Sequence, residues 1–201
     1  MNSGPTAERV YQALKGLIMG RHFLPGERLE PAALADLLSS SVTPVRDALH
    51  LLTGEGLVRT RTGDGFHLPA LNEPRLDDLY AWTAEVLILA LRNRSPRSVP
   101  REGAERDLVE RTAALFSAIA ARSPNAEHGA VMTSLNDRLH SVRLLELQVL
   151  GAIDSELEDM IAADIEDDRR QLARLVGAYH RRRRRHAAEL VRAAYRTPPS
   201  A

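Results

Sequence analysis

Apolar residues in the N-terminal third of the chain recur at helical spacing in successive runs, each closed by small, polar or proline residues. Val10, Leu14, Leu17 and Ile18 share one helical face, with Thr6 as a candidate N-cap and Gly20 as a stop. Leu24-Pro25-Gly26 reads as a turn. Pro31 opens a second helix, because a proline at the first helical position gives up only an N–H that would lack a partner anyway. Ala32, Leu34, Ala35, Leu37 and Leu38 form its apolar face, and Ser39, Ser40 and Ser41 end it. Thr43 as N-cap and Pro44 at the first position start a third helix, along which Val45, Ala48, Leu51 and Leu52 repeat. Gly54 and Gly56 terminate it. Leu57–Arg61 and Phe66–Leu68 follow as short strands joined through Thr62-Gly63-Asp64-Gly65, a turn whose glycines supply the positive φ of a tight hairpin. Two helices joined by a few small polar residues and followed by a hairpin predict a winged helix-turn-helix, whose second helix enters the DNA major groove. Arg59 and Arg61 alternate along the first wing strand and so share one face.

After Pro69-Ala70-Leu71-Asn72-Glu73-Pro74, which reads as a linker, the period becomes helical throughout. Asp77–Arg94 carries Leu79, Trp82, Val86 and Leu89. A break at Ser95–Pro100 precedes a helix over Arg101–Arg122 with Leu108, Leu115, Phe116 and Ile119. His128–Leu150 carries Met132, Leu135, Leu139, Val142 and Val149. Asp154 or Ser155 caps a fourth helix with Leu157, Met160, Ile161 and Ile165, and a fifth runs from about Arg169 through Ala194. With no alternating strand pattern, this half predicts an all-α bundle. The expected fold class is therefore mainly α: residues 1–70 a winged helix-turn-helix domain, 71–75 a linker, 76–196 an all-α effector-binding or dimerisation domain, and 197–201 a disordered tail.

Composition narrows the function. A chain of 201 residues that is 44% hydrophobic can build a sizeable core, and with no cysteine it has neither disulfides nor thiolate chemistry. The N-terminus lacks the apolar core of a signal peptide, and the longest apolar run, Val86–Leu91, is too short to span a bilayer, so a cytoplasmic protein without a membrane partner is expected. Phosphate-binding glycine loops, nucleophile elbows and His-Glu-x-x-His motifs are all missing, so no enzyme is expected. Residues 1–70 balance seven basic residues (9, 15, 21, 28, 46, 59, 61) against seven acidic ones (8, 27, 30, 36, 47, 55, 64), a net charge of zero. Sequence-independent DNA affinity should then be modest, and a homodimer, which doubles the basic patch, is expected.

The run MGRHFLPGERLEPAALADLLSSSVTPVRDALHLLTGEGLVRTRTGDGF resembles the DNA-binding domain of GntR-type bacterial transcription regulators over residues 6–70. Its Leu-Pro-Gly-x-x-Leu, Leu-Ala, Ser-x-Thr-Pro-Val-Arg-x-Ala-Leu and Gly-Leu-Val segments, and its wing glycine, fall at the family's spacings. The resemblance implies that Arg46 reads DNA, that Ser41 and Thr43 contact phosphates, and that Gly65 permits close approach of the wing. The spacing of Arg59 and Arg61 adds a basic wing. Two positions depart from the family: Val42 stands where an arginine is usual, and Ala32 where a basic residue often sits. Arg46 could alternatively be spent on a surface salt bridge with Asp47 or Glu55.

The order and size of the later helices resemble the FadR-like (FCD) effector domain, which senses small molecules, often carboxylates and sometimes through a bound metal. Leu79-Tyr80-Ala81-Trp82-Thr83 keeps that family's Leu-Tyr and lacks its following arginine. Asn136-Asp137-Arg138-Leu139-His140 has asparagine where the family's Asp-x-x-x-His motif has aspartate. Spacing four puts Asn136 and His140 on one helical face, as two ligands of one ion need. His186 matches a further family histidine, with His180 as its rival. These residues imply a weak Zn- or Ni-preferring site or a metal-free pocket for an organic effector. Their plainer reading is a polar edge beside the Leu135–Leu139 stripe for Asn136 and His140, and exposed histidines flanking Arg181–Arg185 for His180 and His186. That arginine run reads as a solvated surface, with Asp164–Asp168 as a possible partner. Together these readings predict a regulator, most plainly a repressor, that binds a double-stranded DNA operator as a homodimer and responds to a small-molecule effector. The alternative is a helical half that serves only dimerisation or protein interaction.

Overall fold

The computed structural model describes residues 4–92 and 107–196. They form two compact units: one runs to Leu71 and takes in the end of the last helix from Ala193, and the other spans Asn72–Arg192. The expected break at Ser95–Pro100, the helix start at Arg101 and the tail at 197–201 lie outside the described residues.

In the first unit, α1 (Gly4–Met19), α2 (Pro31–Leu37) and α3 (Val42–Gly54) surround a core with a three-stranded antiparallel sheet, β1 (Arg28–Leu29), β2 (Arg59–Arg61) and β3 (Gly65–His67), in the order β1-β3-β2. Val10, Leu14 and Ile18 of α1, Leu34 and Ala35 of α2, and Val45, Ala48, Leu49 and Leu52 of α3 are buried together with Leu29, Leu57, Val58, Phe66 and Leu68. The core stripe of α3 runs through Leu49 rather than Leu51, which is 59% exposed, and Leu37 likewise faces outward. β1 is too short to carry a sequence signal. It pairs Arg28 with His67 and Leu29 with Phe66, which seats the wing base on the domain core. In the wing, Arg59 pairs with His67 and Arg61 with Gly65.

Two expected helix starts move. The first helix begins at Gly4, so Thr6 lies inside it. The third begins at Val42 with Ser41 as N-cap, so Thr43 lies one residue inside the helix. In the α2–α3 turn Ser39 takes the left-handed region (φ 48°), a conformation that L-residues other than glycine, asparagine and aspartate visit rarely.

The second unit is all helical: α4 (Glu73–Arg92), α5 (Leu108–Ala121), α6 (Ala126–Val149), α7 (Ile153–Ile165), α8 (Arg169–Arg185) and most of α9 (Ala187–Arg196). α4 packs on α5, α6 and α8, α5 also on α6 and α7, and α7 on α8. Asp107, Asn125 and Asp168 cap α5, α6 and α8, each carboxylate or amide oxygen accepting from a first-turn N–H at 2.8, 3.1 and 2.9 Å. α4 already starts at Glu73, inside the stretch read as linker, because Asn72 accepts from Arg75 N–H at 2.9 Å and closes a first turn that Pro74 tolerates. α7 begins at Ile153 after Ala152 in the left-handed region (φ 56°), so Asp154 and Ser155 lie in its first turn instead of capping it. The expected single fifth helix is two, divided at His186 without proline or glycine to announce it.

Candidate nucleic-acid interface

The outward face of α3 is set by what its other face buries. With Val45, Ala48, Leu49 and Leu52 in the core, Thr43, Arg46, Asp47 and His50 are left exposed on the opposite side. Among the described residues no acidic side chain pairs with Arg46. Glu55, its candidate partner, is occupied by α1: Tyr11 donates to one carboxylate oxygen, and Lys15 lies 3.1 Å from the other. The same contacts tie the end of α3 to α1 and hold the helix in place. Arg46 therefore offers a complete guanidinium fork to a base edge.

The start of α3 suits an anion. Ser41 has extended backbone (φ −86°, ψ 162°) and its hydroxyl makes no capping bond, so it stays available beside exposed Thr43. A helix N-terminus of this kind attracts phosphate through its dipole and orphan donors.

The wing stands next to the far end of α3, where the His50 ring meets the Phe66 ring edge-on at 4.9 Å between centroids. Arg59 and Arg61 are both exposed, as their alternation requires. Their electrostatic settings differ. Asp64 at the tip lies 3.9 Å from Arg61 and 3.8 Å from Arg28, and His67 Nε2 lies 3.0 Å from its carboxylate. Arg61 thus shares an acidic neighbour, while Arg59 has none among the described residues. Gly65 adopts φ 78°, and a Cβ there would meet open space. The backbone conformation alone favours glycine at this place.

The four residues singled out in the helical unit separate. Asn136 is buried, and its amide is fully used: Nδ2 donates to Ala113 O at 3.0 Å and Ser117 Oγ at 2.9 Å, and Oδ1 accepts from Arg143 Nη1 at 3.0 Å. His140 is half-buried, and burial, then Arg143, hold it below the usual histidine range. His180 is fully buried, with Nδ1 2.8 Å from Val176 O, its ring stacked on Phe116 at 5.5 Å and edge-on to Tyr179 at 4.9 Å. Desolvation brings it down to about 3, so it is neutral and Nδ1 is the protonated donor. His186 sits at the α8–α9 junction, 38% exposed, with Nδ1 3.2 Å from Glu189. His180 is thus a core residue, and only His186 matches the expected exposed one. Among the described residues no three His, Asp or Glu side chains gather as a metal requires. The oxygen that would ligate the ion instead faces the Arg143 cation. This arrangement does not fit a divalent metal.

The arginine run is not one solvated surface. Arg183 is fully buried, donates through Nε to Glu146 at 2.9 Å and through Nη1 to Glu156 at 2.6 Å, and lies over the Tyr179 ring at 3.3 Å. Glu146 also accepts from Tyr80 and Tyr179. Arg184 forks onto Asp77 at 2.7 and 2.8 Å, and Arg182 reaches Glu156 at 2.9 Å. Within the acidic run, Asp164 pairs with Arg122 and Asp168 caps α8. The helical spacing of Leu172, Val176, Tyr179 and Arg183 on the buried stripe of α8 was a readable signal for Arg183, masked by its charged neighbours. Leu139, Val142, Arg143 and Glu146 give the same signal on α6.

Residues 6–68 match the family described as bacterial regulatory proteins, gntR family. The Nta operon transcriptional regulator of Aminobacter aminovorans is 40% identical over 81 residues, 40% of this chain and 39% of that protein. The Uxu operon transcriptional regulator of Escherichia coli K12 is 38% identical over 73 residues, 34% of this chain and 28% of that protein. The match thus spans well under half the length of these curated relatives, both of which are transcriptional regulators. Among solved structures, a transcriptional regulator GntR from Rhodococcus sp. RHA1 superposes with TM-score 0.70 at 18% identity, covering 95% of this chain and 99% of that one. E. coli McbR/YncC superposes at 0.62 with 20% identity, covering 93% and 97%. At these identities the likeness shows the fold: a GntR winged helix-turn-helix followed by a helical domain. No described helix is long and apolar enough to cross a membrane.

Proposed function

We propose that this chain is a transcription regulator of the GntR type that binds a pseudo-palindromic DNA operator as a homodimer and changes its affinity when a small molecule occupies the helical half. The observation that carries the DNA reading is the exposed face of α3. It presents an unpaired Arg46 downstream of a phosphate-suited N-terminus and beside an arginine-bearing wing, in a domain whose sequence matches the gntR family. Arg46 reads a base, Ser41 and Thr43 hold the register on phosphates, and Arg59 and Arg61 rest on the backbone beyond, with Gly65 at the turn between the strands. With zero net charge over residues 1–70, one such domain is a weak electrostatic binder, and two joined through their helical halves supply the missing contacts. The helical half is of the FadR-like (FCD) kind in the order of its helices. Its mechanism is population shift: the effector favours one dimer geometry, the spacing of the two α3 helices changes, and repression is relieved.

Genomic DNA fragments captured by the full chain, followed by an anisotropy titration of the enriched site, test this reading. A dimer bound to one inverted repeat is the expected result. Binding without sequence preference contradicts a regulator of defined genes.

A second reading of the helical half is favoured by the outer face of α4, where Trp82 is 45% and Leu89 41% exposed. These two side chains lie two turns apart and suit a dimerisation surface without a ligand. Sedimentation of Trp82→Ser and Leu89→Ser variants distinguishes the readings, since a dimerisation surface there loses the dimer. A ligand response that survives in the monomer keeps the sensor.

A further inference from the structure

The wing carries an anion of its own, seated in a cluster of cations. Arg28 of β1 and Arg59 of β2 both pair with His67 of β3, so the three stand side by side across the sheet. Residues paired across strands share a face, and alternation puts Arg61 on the same face as Arg59. Leu29 and Phe66, in the next row, turn into the core. The Asp64 side chain, from the hairpin turn, lies against this basic face. His67 Nε2 is 3.0 Å from its carboxylate and 3.0 Å from its carbonyl oxygen. Both neighbours are acceptors, so Nε2 carries a proton and donates. Arg28 Nη1 stands 3.8 Å and Arg61 Nη1 3.9 Å from the same carboxylate.

These distances describe a site larger than its occupant. Both guanidiniums are within ionic reach of the carboxylate and beyond hydrogen-bond length. Their side chains are 54 and 58% exposed, so the attraction is screened and contributes little to holding the wing. Arg28 is also tied through Nε to Glu30 at 2.7 Å, which leaves Nη1 on the side of the turn. His67 is 4% exposed and held by the strands on either side, so its Nε2–H is a fixed donor between two mobile cations. A phosphodiester is bulkier than a carboxylate, and its oxygens are set tetrahedrally. Seated on His67, it spans the gap to both guanidiniums.

We propose that Arg28, Arg61 and His67 form a phosphate cradle on the outer face of the wing sheet, and that Asp64 fills it as a built-in phosphate surrogate until DNA displaces it. On binding, the His67 Nε2–H passes from the Asp64 carboxylate to a phosphate oxygen. Arg28, which lies before α2 and α3 in the chain, becomes a DNA contact. One anion is exchanged for another, so Asp64 is an autoinhibitory contact that lowers the wing's affinity for every sequence alike. The proposal rests on the DNA-binding reading, and it adds a phosphate contact on β1 and a competitor at the wing tip.

Two measurements on the full chain test it: anisotropy titrations with the operator and a scrambled duplex over a range of salt, and magnetic resonance of the His67 ring during titration with inorganic phosphate against chloride at matched ionic strength. Asp64→Asn removes the charge and keeps an acceptor for His67. It should tighten binding to both duplexes about three- to tenfold and steepen the salt slope by about one unit per half-site. Adding Arg28→Gln, an exposed change that leaves the core intact, should take back most of that gain. In Asp64→Asn, phosphate should shift the His67 ring signals saturably, and in the wild type far less. Asp64→Ser is the second variant should Asp64→Asn distort the wing, and it should show the same gain. Binding that is unchanged or weaker in both Asp64 variants overturns the proposal. So does a gain that Arg28→Gln leaves intact, or a His67 ring indifferent to phosphate in Asp64→Asn. Phosphate binding at His67 with no DNA affinity in any variant defeats the DNA reading and leaves the cradle. Operator binding indifferent to both Asp64 and Arg28 defeats the cradle and leaves the DNA reading.

Discussion

Acidification should weaken the helical unit, and His180 is the group that reports it. Its ring is enclosed by Tyr80 of α4, Phe116 of α5 and Tyr179 of its own helix, with the positive charges of Arg143 and Arg183 close enough to oppose protonation. A charged imidazolium there would lose its hydration, and its Nε2 would have no acceptor, so the folded value falls from 6.5 to about 3. The unfolded chain takes up the proton near pH 6.5, and the native one does not until about pH 3. Stability from this group is therefore complete above pH 6.5 and falls as pH drops toward 3. At pH 5 the loss is about 2 kcal/mol, approaching about 1.4 kcal/mol per further pH unit, or a fall in Tm of about 4–8 °C at pH 5. Trp82, the only tryptophan, lies on α4 in the same unit, so its fluorescence follows this unit alone. His180→Phe keeps the ring packing and gives up a bond to the Val176 carbonyl, which already accepts within the helix. It should lose about one proton of acid sensitivity between pH 6.5 and pH 5. His140, also held low by burial, leaves a smaller slope of the same sign. An unchanged slope in His180→Phe, or a wild-type Tm that is flat from pH 7.5 to 5, would refute the reasoning.

Further outcomes follow from the other contacts. Arg46→Ala should cost about 1–3 kcal/mol of operator binding per half-site with circular dichroism unchanged, and an unaltered anisotropy titration removes Arg46 from base readout. Arg59→Gln should weaken binding to all sequences alike and lower the salt slope by about one unit per half-site, whereas a change in preferred base pairs contradicts a phosphate role. Asp64→Asn should strengthen binding and steepen the salt dependence, because it frees Arg61 and Arg28 from their acidic neighbour. Weaker binding would show that Asp64 is needed to hold the wing. Glu146→Gln should destabilise the helical unit by about 3–5 kcal/mol in urea unfolding, since it leaves Arg183 with only Glu156. A loss under about 1 kcal/mol means that Arg183 finds water.

The DNA-binding half was legible because its signals are local. Pro31, the serine turn, the Thr43-Pro44 pair and the Gly63–Gly65 turn each specify backbone conformation within a few residues. Arg46 falls outward once the core stripe is placed, and the slip of the α3 cap from Thr43 to Ser41 leaves that face unchanged. The helical half was legible only as a succession of helices. Its polar interior is made by pairs far apart in sequence, such as Tyr80 with Glu146 and Arg122 with Asp164, and spacing along one helix cannot name the partner. Asn136 and His140 show what decides such cases. Spacing four places Asn136 and His140 on one face whether they ligate a metal or line a core. The deciding residue is Arg143, one turn further along the same helix. A cation bonded to the asparagine oxygen removes the reason for a metal. In a bundle interior the sign of the nearest charge therefore says more about the ligand than the spacing of the candidate ligands does. That sign was available in the sequence only to a reading that allowed an arginine on the buried stripe.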